Sequence, residues 1–219
     1  NNFGLQLLRS GTGVIDVGGD PGFIGAALLR HGISATVVDP TWRLTGKGCI
    51  HTDCEAQVYG GAKFSAFRCN FDDDFIAKNR ELVQGCSVIV SLYGDEATEP
   101  TLKYAVSSGK PCAVVPCNEC VRFFPDWNKS YDGYCEALLY QFRWLGGRIE
   151  RIILDGVPFS RAMLIQRPLV GASYPGNGWP TSPGDGASQP PPQPGSEECL
   201  KQQQGSLFTT ASQWGSLFT

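Results

Sequence analysis

An α/β fold is predicted over residues 1–168: a mainly parallel sheet with helices on both faces and an antiparallel hairpin at its C-terminal end. Three observations predict it. Short apolar runs rich in Val and Ile alternate with helix-length segments. The first run ends in a Gly-rich turn, Gly18-Gly-Asp-Pro-Gly22, that leads straight into an apolar helix. The last two runs are separated by a few residues around Gly156 and Pro158, too few for a crossover helix, so they must pair antiparallel. A chain of 219 residues has room for one such domain and an extension, not two domains.

The elements follow in order. Phe3, Leu5, Leu7 and Leu8 make a short amphipathic opening. Residues 13–17 read as the first strand, and Phe23 to Leu29 as a helix that stops at Gly32. Ser34 to Asp39 is the second strand, completing a βαβ unit whose crossover makes the two strands parallel. Residues 40–62 show no clean period and read mostly as loop. Lys63 to Phe71 alternates like a strand, Asp73 to Gln84 reads as one helix with acidic residues in its first turn, and Ser87 to Tyr93 as a buried strand. Glu96 to Ser108 is the next helix, closed by Gly109, and Pro111 to Pro116 the fifth strand. Tyr131 to Leu145 is helical and ends at Gly146-Gly147; Arg148 to Leu154 and Arg161 to Gln166 form the hairpin.

Five strands alternating with helices and ending in a hairpin resemble the Rossmann-like fold of the class I S-adenosylmethionine-dependent methyltransferases. The resemblance covers about three quarters of the chain and speaks to architecture more than to activity. In that family an acidic residue near the end of the first strand precedes a Gly-x-Gly-x-Gly turn that lets the backbone approach the cofactor's methionine part. Asp16-Val-Gly18-Gly19-Asp20-Pro-Gly22 matches the acidic residue and the outer glycines, with Asp20 at the middle glycine. That position is expected to need a left-handed backbone, which Asp tolerates better than most residues. A carboxylate there could also crowd the cofactor. Asp39, 23 positions after Asp16, matches the family's ribose-binding acid, and Asp72 the position that contacts adenine. The resemblance thus implies S-adenosylmethionine as cofactor, with Asp16, Gly18, Gly19, Asp20, Gly22, Asp39 and Asp72 as its binding residues. A nicotinamide dinucleotide would ask for Gly-x-Gly-x-x-Gly, and the register beginning at Asp20 lacks its first glycine.

Ligands of open α/β sheets bind beyond the carboxyl ends of the strands. Acceptor chemistry would therefore fall to Tyr93, Asp95 and Glu96, or to Cys117, Asn118, Glu119 and Cys120. The Asn/Asp-Pro-Pro-aromatic motif of amino-directed nucleic-acid methyltransferases is absent after the fourth strand. Methyl transfer to an acceptor already nucleophilic needs positioning alone, so no catalytic base is assigned. His31 stands at a helix end, where the helix dipole accounts for it. His51 within Cys49-Ile-His-Thr-Asp-Cys54, with Cys117 and Cys120, has no recognised zinc spacing, and no metal is expected. Among the nine cysteines, Cys69, Cys86 and Cys112 read as small buried apolar residues, which suits a reducing intracellular compartment.

A net charge of -3 gives no general attraction for nucleic acid. Arg143, Arg148, Arg151, Arg161 and Arg167 form a local basic stretch, read either as solvated arginines or as an anion patch. No apolar run reaches 18 residues, so no transmembrane helix is expected; peripheral association with a membrane complex stays open. The chain opens Asn1-Asn2, as a processed or truncated protein would, and a removed mitochondrial or plastid targeting segment is one route. Residues 169–219 turn to Pro, Gly, Ser and Gln, a composition that cannot bury a core. Within them Trp179, Trp214 and the repeated Gly205-Ser-Leu-Phe-Thr209 and Gly215-Ser-Leu-Phe-Thr219 read as docking elements for a protein partner. Two functions stand side by side: a methyltransferase-like protein with unnamed acceptor, and a catalytically degenerate methyltransferase fold serving as an accessory subunit of a large organellar assembly.

Overall fold

The computed structural model describes residues 2–41, 61–119, 130–155 and 162–168. The region read as loop between Pro40 and Ala62, the His51 and Cys120 positions, the hairpin turn and the 169–219 tail lie wholly or largely outside the described residues. Helix α1 (Leu5–Leu8) precedes strand β1 (Val14–Val17), helix α2 (Phe23–Arg30) and strand β2 (Ala35–Val38). Strand β3 (Phe64–Phe67), helices α3 (Asp73–Lys78) and α4 (Arg80–Gly85) and strand β4 (Val88–Leu92) follow. A 3-10 turn, Asp95–Ala97, leads into α5 (Thr98–Ser108), then β5 (Cys112–Val115), α6 (Tyr131–Trp144), β6 (Ile149–Ile153) and β7 (Ala162–Gln166).

The seven strands form one sheet in the order β3-β2-β1-β4-β5-β7-β6. Strands β1 to β5 are mutually parallel, and β7 enters antiparallel between β5 and β6. This is the class I methyltransferase-like α/β arrangement, and the terminal hairpin is paired as the short connection required. Alternation along β1 divides the core between the two faces. Ile15 and Val17 join Ile89, Leu102, Val114, Leu138, Phe142 and Leu164 in the main cluster. Val14 packs with Ile33 and Val88 in a smaller one, against Phe3, Leu7 and Leu8. Asp16 shares the face of Val14 and is flanked by Val37 and Val90.

Two expectations are corrected. The helix read over Asp73 to Gln84 is broken at Asn79, whose backbone N–H (2.9 Å) and side-chain Nδ2 (3.0 Å) both donate to the Phe75 carbonyl. An Asn side chain that bonds nearby backbone competes with helix continuation. Strand β3 ends at Phe67, short of Phe71, because Phe71 turns away to pack edge-on against Tyr104 of α5 with ring centres 5.9 Å apart. Helix α6 ends at Trp144, one residue short of the expected Leu145, which caps it ahead of Gly146-Gly147. Gly146 at φ 87 lets its own N–H reach the Arg143 carbonyl and the N–H of Gly147 reach that of Phe142, both at 2.9 Å.

Candidate functional site

The site is built at the carboxyl ends of β1, β2 and β4. Asp16 is 1% exposed, and its carboxyl lies directly beneath the backbone of Gly19: a Cβ at Gly19 would stand 2.5 Å from Asp16 Oδ2. Any side chain at position 19 would therefore displace the acid, which is the physical reason for glycine there. Neither oxygen of Asp16 has a hydrogen-bond partner among the described residues. Burial, and secondarily the Asp39 carboxylate, push its acid up to about 7.

The turn above is held from both flanks. The Gly18 N–H donates to the Val38 carbonyl at 2.9 Å, and the Gly22 N–H closes the turn onto the Gly19 carbonyl at 2.6 Å. Positive φ falls on Gly18 (69°) and Gly22 (96°), and the Asp20–Pro21 peptide is cis. Asp20 itself is not in the left-handed region, so the expectation that the middle glycine position needs such a backbone is overturned. The reversal is carried by the two outer glycines. Asp39, 6% exposed, clamps the arrangement: Oδ2 accepts from the Asp20 N–H at 3.1 Å, and Oδ1 accepts from the Thr41 N–H and hydroxyl, both at 2.7 Å.

Beyond β4, Tyr93 (φ 57) and Asp95 (φ 46) both occupy the left-handed region around Gly94, a costly backbone for residues with side chains. Gly94 meets the first turn: a Cβ on Gly18 would lie 2.8 Å from Gly94 Cα, and one on Gly94 would lie 2.1 Å from Ser91 Oγ. The hydroxyls of Ser91 and Thr98, buried below this loop, have no hydrogen-bond partner among the described residues. Tyr93, Asp95 and Glu96 were legible as a strand end. Gly94 and Ser91 were missed; the signals were a glycine after the aromatic and a hydroxyl inside an apolar run.

Asp72 caps α3, its Oδ1 accepting from the Phe75 N–H at 2.9 Å. It also lines a cavity of about 480 Å³ between α3, α5 and α6, with Phe71, Glu99 and Tyr104 among the other lining residues and none from the glycine turn. The structure thus brings Asp16, Gly18, Gly19, Asp20, Gly22 and Asp39 together, while Asp72 stands as the cap of α3. Cys117, beyond β5, packs partly buried against the main core. Burial pushes the Cys86 thiol up to about 11 and that of Cys112 up to about 12, so both are inert fillers; Cys69, expected to be buried with them, is only half-buried. His31 caps the C-terminus of α2. The described part of the arginine stretch is largely consumed internally: Arg151 pairs with Asp132 and Glu136, Arg167 with Glu150, and Arg143 Nε donates to the Ile149 carbonyl at 2.8 Å. Among the described residues no group of His, Cys, Asp or Glu is placed to hold a metal ion, and no helix is long and apolar enough to cross a membrane.

These residues suit one part of the cofactor that the fold implies more than another. A buried carboxyl without partners beneath a glycine turn suits an ammonium group above it, and the contacts of Gly18 and Gly94 leave the turn free of side chains. Asp39 already accepts three hydrogen bonds of the roughly four a carboxylate can take, which leaves about one for a ribose hydroxyl. The residues fit the methionine end of S-adenosylmethionine better than its ribose.

No family model matches the sequence, and no curated protein matches it. Among solved structures that match is an rRNA methylase from Streptococcus thermophilus, 11% identical, at a TM-score of 0.44, the match covering 75% of this chain and 91% of that one. A likeness of that size is one of outline. The assignment of the fold rests on the order and direction of the seven strands.

Proposed function

We propose that this chain binds S-adenosylmethionine at the carboxyl ends of β1, β2 and β4 and acts as a methyltransferase. The single observation that carries the reading is Asp16, an almost fully buried carboxyl without a hydrogen-bond partner, set beneath a turn that position 19 keeps open. Burial of an unsatisfied acid costs stability, and a cationic group above the turn would offset that cost. S-adenosylmethionine supplies an electrophilic methyl group on a sulfonium. The chain's own contribution is placement: Gly18 and Gly19 admit close approach, Asp39 holds the turn through the Asp20 N–H and has about one lone pair left for a ribose hydroxyl, and Tyr93 to Asp95 border the side from which an acceptor would arrive. Positioning of this kind suffices where the acceptor is itself nucleophilic.

A second reading, a methyltransferase fold without turnover, is favoured by the commitment of Asp39 to Asp20 and Thr41. Equilibrium titration with a transfer assay separates the two. Saturable binding of S-adenosylmethionine that Asp39→Ala weakens supports a cofactor site, and methyl transfer from labelled cofactor distinguishes enzyme from silent fold. Native chain without binding retires the enzyme and leaves the fold without turnover.

A further inference from the structure

Asp16 has a property that cofactor placement alone does not require. Both its oxygens are enclosed, the neighbouring strands offer it Val37 and Val90, and a Cβ on Gly19 would stand 2.5 Å from its Oδ2. The charged groups of the elements around it are few. β2 leads to the Asp39 carboxylate, a like charge, and the turn above carries Asp20 and the loop beyond β4 Asp95 and Glu96, also acidic; β4 (Val88–Leu92) and α1 carry none; α2 carries Arg30, exposed in its last turn. A carboxyl in this setting has nothing to stabilise its ionised form, and burial with the neighbouring carboxylate keeps the proton on it up to about pH 7.

We propose that seating a ligand's ammonium group on the Gly18–Gly22 turn expels the proton from Asp16 into solvent, so that binding is coupled to pH. The balance is simple: the neutral carboxyl becomes a carboxylate, its proton goes to buffer, and the new negative charge faces the ligand's positive one. This rests on the reading of the turn as a cofactor site and adds to it a ligand requirement, a cationic group, and a direction, affinity rising with pH. At fixed ligand the affinity gains about fivefold between pH 6 and pH 7 and levels off above pH 8, as a group titrating near 7 dictates.

The test is titration calorimetry of the full chain at pH 6 with S-adenosylhomocysteine, which carries the ammonium group, and with adenosine, which does not, each in phosphate and in imidazole. The observed heats for S-adenosylhomocysteine should differ between buffers by an amount corresponding to release of most of one proton, and the difference should vanish at pH 8.5. Adenosine should bind without it. Asp16→Asn should bind with no buffer dependence, and the native protein carries the test by itself if that variant does not fold. Binding of S-adenosylhomocysteine with no proton released, or equal release with adenosine, would overturn the coupling while leaving the cofactor site standing. Absence of any binding would overturn both.

Discussion

Protonation of Asp16 makes the ligand-free chain more stable in mild acid than at neutral pH. The folded acid sits near 7, against about 3.9 in the unfolded chain, so the native state holds the extra proton between these values. Its stabilising contribution is complete below about pH 4 and is lost as pH rises through about 7, a total of about 4 kcal/mol for a shift of this size. Asp16→Asn should flatten that slope, which urea midpoints measured from pH 4 to pH 8 would read. An equally steep slope in the variant would assign the effect to another group. Gly19→Ala drives a methyl group against the same carboxyl and should cost roughly 1 to 3 kcal/mol of stability together with ligand affinity. The positions of Asp16 and Asp39 were legible because an acidic residue near the end of an apolar run declares itself. What Gly19 does was not, since the conflict with Asp16 depends on how the turn folds back over the strand.

Gln166 shows how an element far from the site fixes its frame. Buried in β7, it donates through Nε2 to the carbonyls of Ala105 (3.1 Å) and Lys110 (2.9 Å) and accepts through Oε1 from the Arg148 N–H (3.1 Å). One side chain thus ties the hairpin to α5 and β5. Gln166→Leu takes the partner from the Lys110 carbonyl and the Arg148 N–H, while the Ala105 carbonyl keeps the Lys110 N–H, and should cost about 1 to 3 kcal/mol in chemical denaturation. Asp72 is tested at the same scale. Asp72→Ala should lose about 0.5 to 2 kcal/mol with its cap, while Asp72→Ser, which caps equally well, should restore stability. Cofactor affinity should follow neither change; a loss in the Ser variant would return Asp72 to the binding site. The type of almost every described element was legible from periodicity and glycine stops. The break at Asn79 and the early end of β3 were not, because one depends on a side chain competing for the Phe75 carbonyl and the other on the packing of Phe71 against Tyr104.

Across the whole molecule, strand order decides what lies together. Placing β1 between β2 and β4 brings three strand ends side by side, so that Asp39 from one flank and Gly94 from the other both press on the same turn. The hairpin, inserting β7 between β5 and β6, completes the sheet on the side away from β3. Sequence periodicity carried the parallel strands and the hairpin, but the contact between Gly18 and Gly94 joins residues 76 positions apart and has no local signature. The central claim is that these three strand ends form a site for S-adenosylmethionine. Thermal unfolding of the full chain with increasing S-adenosylhomocysteine tests it directly. Stability should rise with the logarithm of ligand concentration above Kd, by about 2.7 kcal/mol at a hundredfold excess, and Gly18→Val should abolish the rise. A melting temperature unmoved by millimolar ligand, or moved equally in the variant, would contradict it.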